Sequence, residues 1–223
     1  MLITKWEHSG VSIELDDARL ILDPGSFAGP LPAGAPIAAT VITHEHPDHW
    51  TPERVAEIVA AAPDAPIYTT PATAAQLRLA EPNARMFPVA HGDERAPGPF
   101  RLSFHGVQHA LIHRSIPVVE NVGVFVNETL FSGGDSLEVP LLGGAGTPPR
   151  IPLLGVPIGS LWSNVGDVID YVHAVRPLRA FCTHDAMLSE AGRALFTARV
   201  SEALAAVGGA LLPLPRGEAV PVP

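Results

Sequence analysis

The chain has 223 residues, of which 47% are hydrophobic and 17% are charged, and its formal net charge at pH 7 is −9. This composition supplies enough apolar material for a folded core and excludes bulk disorder, while the acidic excess disfavours nucleic acid and anionic membrane surfaces as partners. The single cysteine excludes an internal disulfide framework and an all-cysteine zinc site within one chain.

The length suits one folded unit, and no shift in composition marks a linker, so we expect a single domain over residues 1–223. Charged and polar side chains interrupt the N-terminal residues, and no apolar run approaches the roughly 20 residues that are needed to span a bilayer. We therefore expect a cytoplasmic protein that has neither a membrane nor nucleic acid as its partner.

The N-terminal half of the chain alternates between strand and helix patterns. Short runs of alternating or β-branched residues predict strands at 11–15, 18–22, 37–43, 67–69 and 86–89. Thr51-Pro52-Glu53 predicts the start of a helix, with threonine as the N-cap, proline in the first turn and an acidic residue behind it. A second helix is expected near 73–80.

The C-terminal half continues this alternation. Strands are predicted at 100–107, 122–126, 129–131, 151–154 and 179–183, and the second and third of these form a hairpin. Helices are expected at 165–175 and 189–207, and the Gly/Pro-rich stretch 137–159 is expected to be mostly loop. Interleaved helices, strands and hairpins indicate an α/β protein with a mixed sheet.

The most informative motif follows the strand predicted at 37–43. His44, His46, Asp48 and His49 form the pattern H-x-H-x-D-H, which chance would produce in about one in a thousand chains of this composition. Neutral imidazole and carboxylate groups are ligands that suit zinc, manganese or iron. His44 and His46 would point the same way in an extended segment, whereas Asp48 and His49 lie where the chain turns into a helix. Two pairs aimed from different directions suit two adjacent ions better than one.

Each ion needs further ligands, and three later residues follow predicted strands: His109, Asp135 and His184. In α/β proteins, sites lie where the ends of strands meet at one edge of a sheet. His105 lies on the same face of its strand as His109 and is an alternative ligand. We prefer His109 because we expect it to end the strand.

These residues resemble the metallo-β-lactamase superfamily. The resemblance is carried by T-H-E-H-P-D-H at 43–49, His109, Gly133-Gly134-Asp135 and Thr183-His184. The segments 8–13 and 20–25 are similar to the N-terminal hairpin of a branch of small metal-dependent hydrolases that includes the ascorbate-6-phosphate lactonase. The resemblance spans the whole chain and implies a four-layer αβ/βα sandwich with mixed sheets and a metal site at one edge.

The resemblance also implies a ligand set and a reaction. One ion would be held by His44, His46 and His109, the second by Asp48, His49 and His184, with Asp135 bridging both. A hydroxide bridging the two ions would cleave an ester, lactone, phosphoester or amide. Zinc is the first expectation for both ions, with manganese or iron as alternatives. Classical β-lactamases of the superfamily generally lack an aspartate at the bridging position, so Asp135 argues against that activity.

The charge of this site bears on the substrate. Five neutral imidazoles and two carboxylates around two divalent ions leave a formal charge of about +2, which favours an anionic small-molecule substrate or transition state. Asp48 and Asp135 are expected to take part in the reaction. The proton for the leaving group could come from metal-bound water or from His8, His105 or His113, and the sequence does not choose among them.

Several interpretations stay open at this point. His8 and Asp23 either support the site or are ordinary polar residues, Trp162 lines the site or anchors the core, and His113 with Arg114 binds an anion or lies on a solvated loop. Two other functions remain: an iron oxidoreductase of the sulfur dioxygenase type on the same fold, and a non-catalytic protein that keeps a metal site. The 137–159 loop could line a pocket or form the subunit interface of a homo-oligomer.

Overall fold

Two seven-stranded mixed sheets lie face to face in the protein, and helices cover both outer faces. The computed structural model describes residues 1–141 and 150–222. The strands of the first sheet are β1 (Leu2–Lys5), β2 (Val11–Leu15), β3 (Ala18–Leu22), β4 (Ile37–Ile42), β5 (Ile67–Thr69), β6 (Met86–Pro88) and β14 (Ala219–Pro221). Their order is β14-β1-β2-β3-β4-β5-β6, antiparallel as far as β3 and parallel from β3 to β6.

The second sheet repeats this plan with its own seven strands. They are β7 (Glu94–Arg95), β8 (Leu102–His105), β9 (Gly123–Val126), β10 (Leu130–Ser132), β11 (Leu153–Pro157), β12 (Arg179–Thr183) and β13 (Ala210–Leu211). The order is β13-β12-β11-β10-β9-β8-β7, with antiparallel pairing from β7 to β10 and parallel pairing from β10 to β13. The parallel half of each sheet needs crossover connections, and each of the four helices lies in one of these connections.

The helices are α1 (Pro52–Ala61), α2 (Pro71–Ala80), α3 (Val165–Val175) and α4 (Glu190–Ala206). Each begins after a residue whose side chain accepts a backbone N–H of the first turn, as Thr51 does for α1 and Asn164 does for α3. Helices α1 and α2 pack on the first sheet, and α3 and α4 pack on the second. The layers are therefore αβ/βα, as expected.

The main core lies between the two sheets and takes residues from both. Leu20 and Leu22 of β3 belong to this core together with Phe104 and Val124 of the second sheet. Ile21 points to the other face of β3 and packs in a separate cluster with Ile58 of α1. A strand that is buried on both faces reads as a continuous apolar run, which is the pattern at 20–22.

The structure departs from the predicted elements in a few places. The strand expected at 100–107 spans only Leu102–His105, because Gly106 takes a left-handed conformation (φ +80°) and ends it. The reason given for preferring His109 is therefore wrong, since His105 ends the strand and His109 lies in the following loop. The strand expected at 151–154 begins at Leu153 and continues to Pro157. In the predicted loop 137–159, residues 142–149 lie outside the described residues.

The loop after β3 lies directly against the loop that carries the H-x-H-x-D-H motif. A Cβ atom added to Gly25 would lie 1.9 Å from the carbonyl oxygen of Asp48, whereas a Cβ on Gly29 would meet no described heavy atom within 4 Å. Only a residue without a side chain fits position 25, so the motif loop is held by close backbone contact.

We expect Gly25→Ala to destabilise the protein by about 1–3 kcal/mol, because the loops must separate to admit the methyl group. Gly29→Ala is the matched control in the same loop and should leave the free energy of unfolding nearly unchanged. Chemical denaturation of both variants measures the difference. Equal stabilities would contradict the close contact.

Candidate metal centre

Seven histidine and aspartate side chains from four loops meet at one edge of the sandwich. They form two groups, in each of which one nitrogen or oxygen atom per residue lies within 4.8 Å of the others. The first donor group is His44, His46, His109 and Asp135, and the second donor group is Asp48, His49, Asp135 and His184. Asp135 belongs to both groups. The structure thus brings together all seven residues that the sequence proposed as ligands.

The loops that carry these residues follow strands on both sheets. The H-x-H-x-D-H motif connects β4 to α1, and the other three loops follow β8, β10 and β12. An isolated bridge between His44 and Asn121 joins the two sheets beside the site. Most of the donor side chains are almost fully buried, but Asp48 is 21% exposed and His46 is partly exposed. Asp48 and His46 are therefore the donor residues that solvent reaches.

In the first donor group, backbone and hydroxyl partners fix the direction of the imidazoles. The single hydroxyl proton of Thr43 is donated to Asp23, so Thr43 Oγ1 accepts from His44 Nδ1 at 3.1 Å. His109 Nδ1 donates to the carbonyl oxygen of Ala110. Both rings consequently direct Nε2 into the site, where His109 Nε2 lies 3.2 Å from Asp135 Oδ2. His44 Nε2 lies 3.1 Å from His46 Nδ1.

Asp23 orients His49 of the second donor group. It is 1% exposed and has a left-handed backbone (φ 44°). Its carboxylate accepts from the backbone N–H and the hydroxyl of Thr43, and it lies 3.0 Å from His49 Nδ1. With Nδ1 held by Asp23, His49 directs Nε2 towards Asp135 Oδ1, 3.0 Å away. The structure therefore favours the supporting role for Asp23 over that of a simple turn residue.

His8 holds the other carboxylate of the second donor group. The backbone N–H of Ala186 donates to His8 Nδ1 at 3.2 Å, so the ring proton is on Nε2, which lies 3.1 Å from Asp48 Oδ2. The carbonyl oxygen of His8 accepts from the backbone N–H of His184. Since both ring nitrogens are occupied, this geometry favours a positioning role for His8 over direct proton donation.

Asp135 is oriented by residues that the sequence did not single out as its partners. Asn121 Oδ1 accepts the backbone N–H of Asp135, and Asn121 Nδ2 donates to the carbonyl of Gly133. The indole N–H of Trp162 donates to Asp135 Oδ2 at 3.0 Å. The Trp162 ring also lies against His109 and His184, so Trp162 lines the site.

His113 and His105 do not join the two donor groups. His113 is exposed, and its Nδ1 lies 2.7 Å from the Ser115 hydroxyl. His105 Nε2 lies 3.0 Å from Ser103 Oγ. Among the described residues, neither imidazole makes a hydrogen bond or ion pair with a donor residue, so the geometry gives no support for either as the acid that protonates a leaving group.

The two donor groups differ in the protons that they hold. Burial lowers the pKa of His44 and of His46, with neighbouring imidazoles adding to this effect, so both rings are neutral near pH 7. Burial also acts to lower the pKa of His49, but the carboxylates of Asp135 and Asp23 outweigh it and raise the pKa well above its usual value. For His184, burial is outweighed by contacts with Asp135 and Asp48, and the pKa is raised to about 9.

The two carboxylates stay ionised in this environment. Burial acts to raise the pKa of Asp135, but His49, His109 and His184 hold it well below its usual value. Asp48 is affected in the same way, since burial is outweighed by its contacts with His184 and His8 and its pKa falls below the usual range. The site therefore combines fixed negative charge with imidazole nitrogens.

Hydrogen bonds among the donor side chains leave some of their buried atoms unpaired, and metal ions could pair with these atoms. Within the described residues, His184 Nε2 and Asp135 Oδ1 are buried without a hydrogen-bond partner. His184 Nε2 lies 3.1 Å from Asp135 Oδ2, but without hydrogen-bond geometry. Buried polar atoms in native proteins are normally paired, so buried nitrogen and oxygen atoms that converge without hydrogen-bond partners indicate a place for cations. Nitrogen and carboxylate oxygen in groups of four are a donor set that suits zinc and similar ions.

Comparison with known families agrees with the fold and the motif. The chain belongs to the beta-lactamase superfamily, because the family model described as "Beta-lactamase superfamily domain" matches residues 2–184. The narrower resemblance to the ascorbate-6-phosphate lactonase branch stays a prediction.

Individual relatives cover nearly the whole chain. Protein Rv0786c of Mycobacterium tuberculosis is 32% identical over 208 residues, which are 91% of this chain and 92% of that protein. Igni18, a metallo hydrolase from the archaeon Ignicoccus hospitalis, has a similar structure with a TM-score of 0.69 and 16% identity, covering 98% of this chain and 97% of its own. The metallo-beta-lactamase fold protein YhfI from Bacillus subtilis has a TM-score of 0.70 and 15% identity, covering 98% of both chains. These structures establish the metallo-β-lactamase fold.

Within the described residues, no helix has the length and apolar character that crossing a membrane requires.

We expect Asp23→Asn to weaken metal binding at the second donor group about 10- to 100-fold, because the amide removes the negative charge that orients His49. Isothermal titration calorimetry with zinc measures the affinity of each site. Asp17→Asn, at an exposed turn position that also has a left-handed backbone (φ 61°), is the matched control. Unchanged zinc affinity in Asp23→Asn would show that Asp23 does not support the site.

Metal binding to the second donor group should release more protons than binding to the first. His49 and His184 hold protons near pH 7 that an ion must displace, whereas His44 and His46 do not. The affinity of the second group should therefore rise with pH from 7 towards 9, by up to about tenfold per pH unit for each displaced proton. Calorimetry in buffers of different ionisation enthalpy counts these protons, and equal release at both sites would contradict the assignment.

Proposed function

We propose that this protein is a hydrolase that uses two divalent metal ions to cleave an ester, lactone, phosphoester or amide of a small molecule. The observation that carries the proposal is the sharing of one buried carboxylate, Asp135, between two complete donor groups. A single ion would need only one group, whereas a second group on the far side of Asp135 supports a pair. Zinc is the first expectation for the metal, with manganese or iron as alternatives.

The ring nitrogen or carboxylate oxygen that each side chain directs into the site assigns it to one of the two ions. In this proposal His44 Nε2, His46 Nδ1 and His109 Nε2 would hold the first ion, Asp48 Oδ2, His49 Nε2 and His184 Nε2 would hold the second, and Asp135 would serve both. Two divalent ions bound there would lower the pKa of bound water to near neutrality and polarise the oxygen of a scissile bond. No separate strong base is then required of the protein.

The residues of the chain supply orientation and a dry environment. Asp23, Thr43 and His8 fix the ring directions and the Asp48 carboxylate before any substrate arrives, so little reorganisation is needed during the reaction. Burial of the other donors excludes bulk water from all sides except the opening at Asp48 and His46. The substrate enters through this opening and places its scissile bond between the two donor groups.

The proposal predicts a specific pattern of metal loss. The reconstituted protein should hold close to two ions per chain, and His46→Ala and His184→Ala should each lose about one of them and reduce hydrolysis at least about 100-fold. Asp135→Ala should weaken both sites. Elemental analysis gives the number of ions, and a panel of aryl esters, lactones and phosphodiesters gives the activity. His173→Ala, on the exposed side of α3, is the control and should keep both ions and full activity.

Two results would contradict this function. Full activity with one ion per chain would exclude the paired mechanism. Iron as the ion required for activity, with oxygen uptake and no hydrolysis, would favour the oxidoreductase alternative instead.

A further inference from the structure

Three loops that border the candidate metal centre, and that are far apart in the sequence, each carry an exposed apolar residue. Phe27 follows β3 and is 41% exposed, Leu161 follows β11 and is 80% exposed, and Met187 follows β12 and is 45% exposed. Large apolar side chains that remain in water forgo the stabilisation that burial would give them. Their occurrence in three loops around one site indicates that this surface is used.

Ring contacts place Phe27 beside the site and place the loop of Leu161 there. The Phe27 ring centroid lies 4.7 Å from that of His8, which in turn lies 3.9 Å from that of His184. Leu161 directly precedes Trp162, whose ring lies 5.7 Å from that of His109 and 6.1 Å from that of His184.

Met187 is placed by its neighbour in the chain. It directly follows Ala186, whose backbone N–H donates to His8 Nδ1. All three apolar residues therefore lie in loops that border the site where His8, His184 and Trp162 lie. We call Phe27, Leu161, Trp162 and Met187 the apolar ledge.

The loops of the ledge offer nothing that would hold a charged group. Residues 24–36 and 158–164 contain no Asp, Glu, Lys or Arg, although such residues make up 17% of the chain. Asp185 in the third loop is buried and paired with Lys5 at 2.8 Å and with Arg193 at 3.1 Å. A phosphate or sulfate group of a substrate would find no cation of these loops on this side of the site.

We propose that the apolar ledge binds the apolar part of the substrate, so that the substrates are esters, lactones or amides with an alkyl or aryl group next to the scissile bond. The inference rests on the proposed hydrolase function. Phe27 and Trp162 supply flat faces, and Leu161 and Met187 supply flexible edges that can adapt to different chain lengths.

The experiment measures hydrolysis of p-nitrophenyl acetate, butyrate, hexanoate and octanoate by the zinc-loaded protein. We expect kcat/KM to rise about two- to fourfold for each added methylene group that reaches the ledge. Leu161→Ser and Met187→Ser should reduce this dependence on chain length. Leu79→Ser removes an equally apolar side chain, 87% exposed on α2, and should leave the chain-length dependence as it is in the wild type.

A binding measurement separates failure of the ledge from failure of the hydrolase function. Calorimetric titration with acetate, butyrate, hexanoate and octanoate should show affinity that increases with chain length and falls in Leu161→Ser. Chain-length-dependent binding without hydrolysis of any ester would support the ledge and contradict the function. Hydrolysis at a rate independent of chain length, with equal binding of all four acids, would overturn the ledge. Dimerisation that Leu161→Ser abolishes would also overturn it, because a second copy would then cover this surface.

Discussion

The rest of this structure depends on a buried carboxylate that faces imidazole nitrogens on two sides. An ionised group out of water is costly unless opposite charge lies close to it. Asp135 is 2% exposed and remains ionised, so the site requires cations around it. Without metal, protons on His49 and His184 supply that charge, and metal ions would replace them. The proposed metal binding and the raised pKa values of His49 and His184 thus have the same cause, which is the buried negative charge of Asp135.

The fold meets this constraint by tying the donor loops to one another and to the ends of the strands. Thr43 and Asp23 connect the ends of β4 and β3, and the same contacts orient His44 and His49. His8 connects the N-terminal hairpin with the loop after β12 through its backbone and its ring. Because the same hydrogen bonds stabilise the loops and orient the donor atoms, a substitution in this set should change stability and metal affinity together.

Much of the fold and the set of seven donors could be predicted from the sequence, for identifiable reasons. The strands at 11–15, 18–22 and 179–183 have strong local patterns, and the H-x-H-x-D-H motif is local in the chain. Asn121 and Trp162 could not be recognised as partners of Asp135, because their contacts span 14 and 27 residues and no local pattern marks them. The short edge strands β7 and β13, of two residues each, carry too little periodicity to be predicted. His109 was chosen as a ligand because the strand was expected to end there. The strand ends earlier, at a turn that depends on the left-handed backbone of Gly106, and the sequence does not show this conformation.

The central claim is that Asp135 lies between two ions. X-ray absorption spectroscopy at the zinc edge of the fully loaded protein tests it most directly, because the method reports the neighbours of the metal itself. The account predicts a zinc–zinc vector at about 3.5–4 Å, with a first shell of nitrogen and oxygen atoms. A spectrum with histidine and carboxylate ligands but no second metal within that range would contradict it.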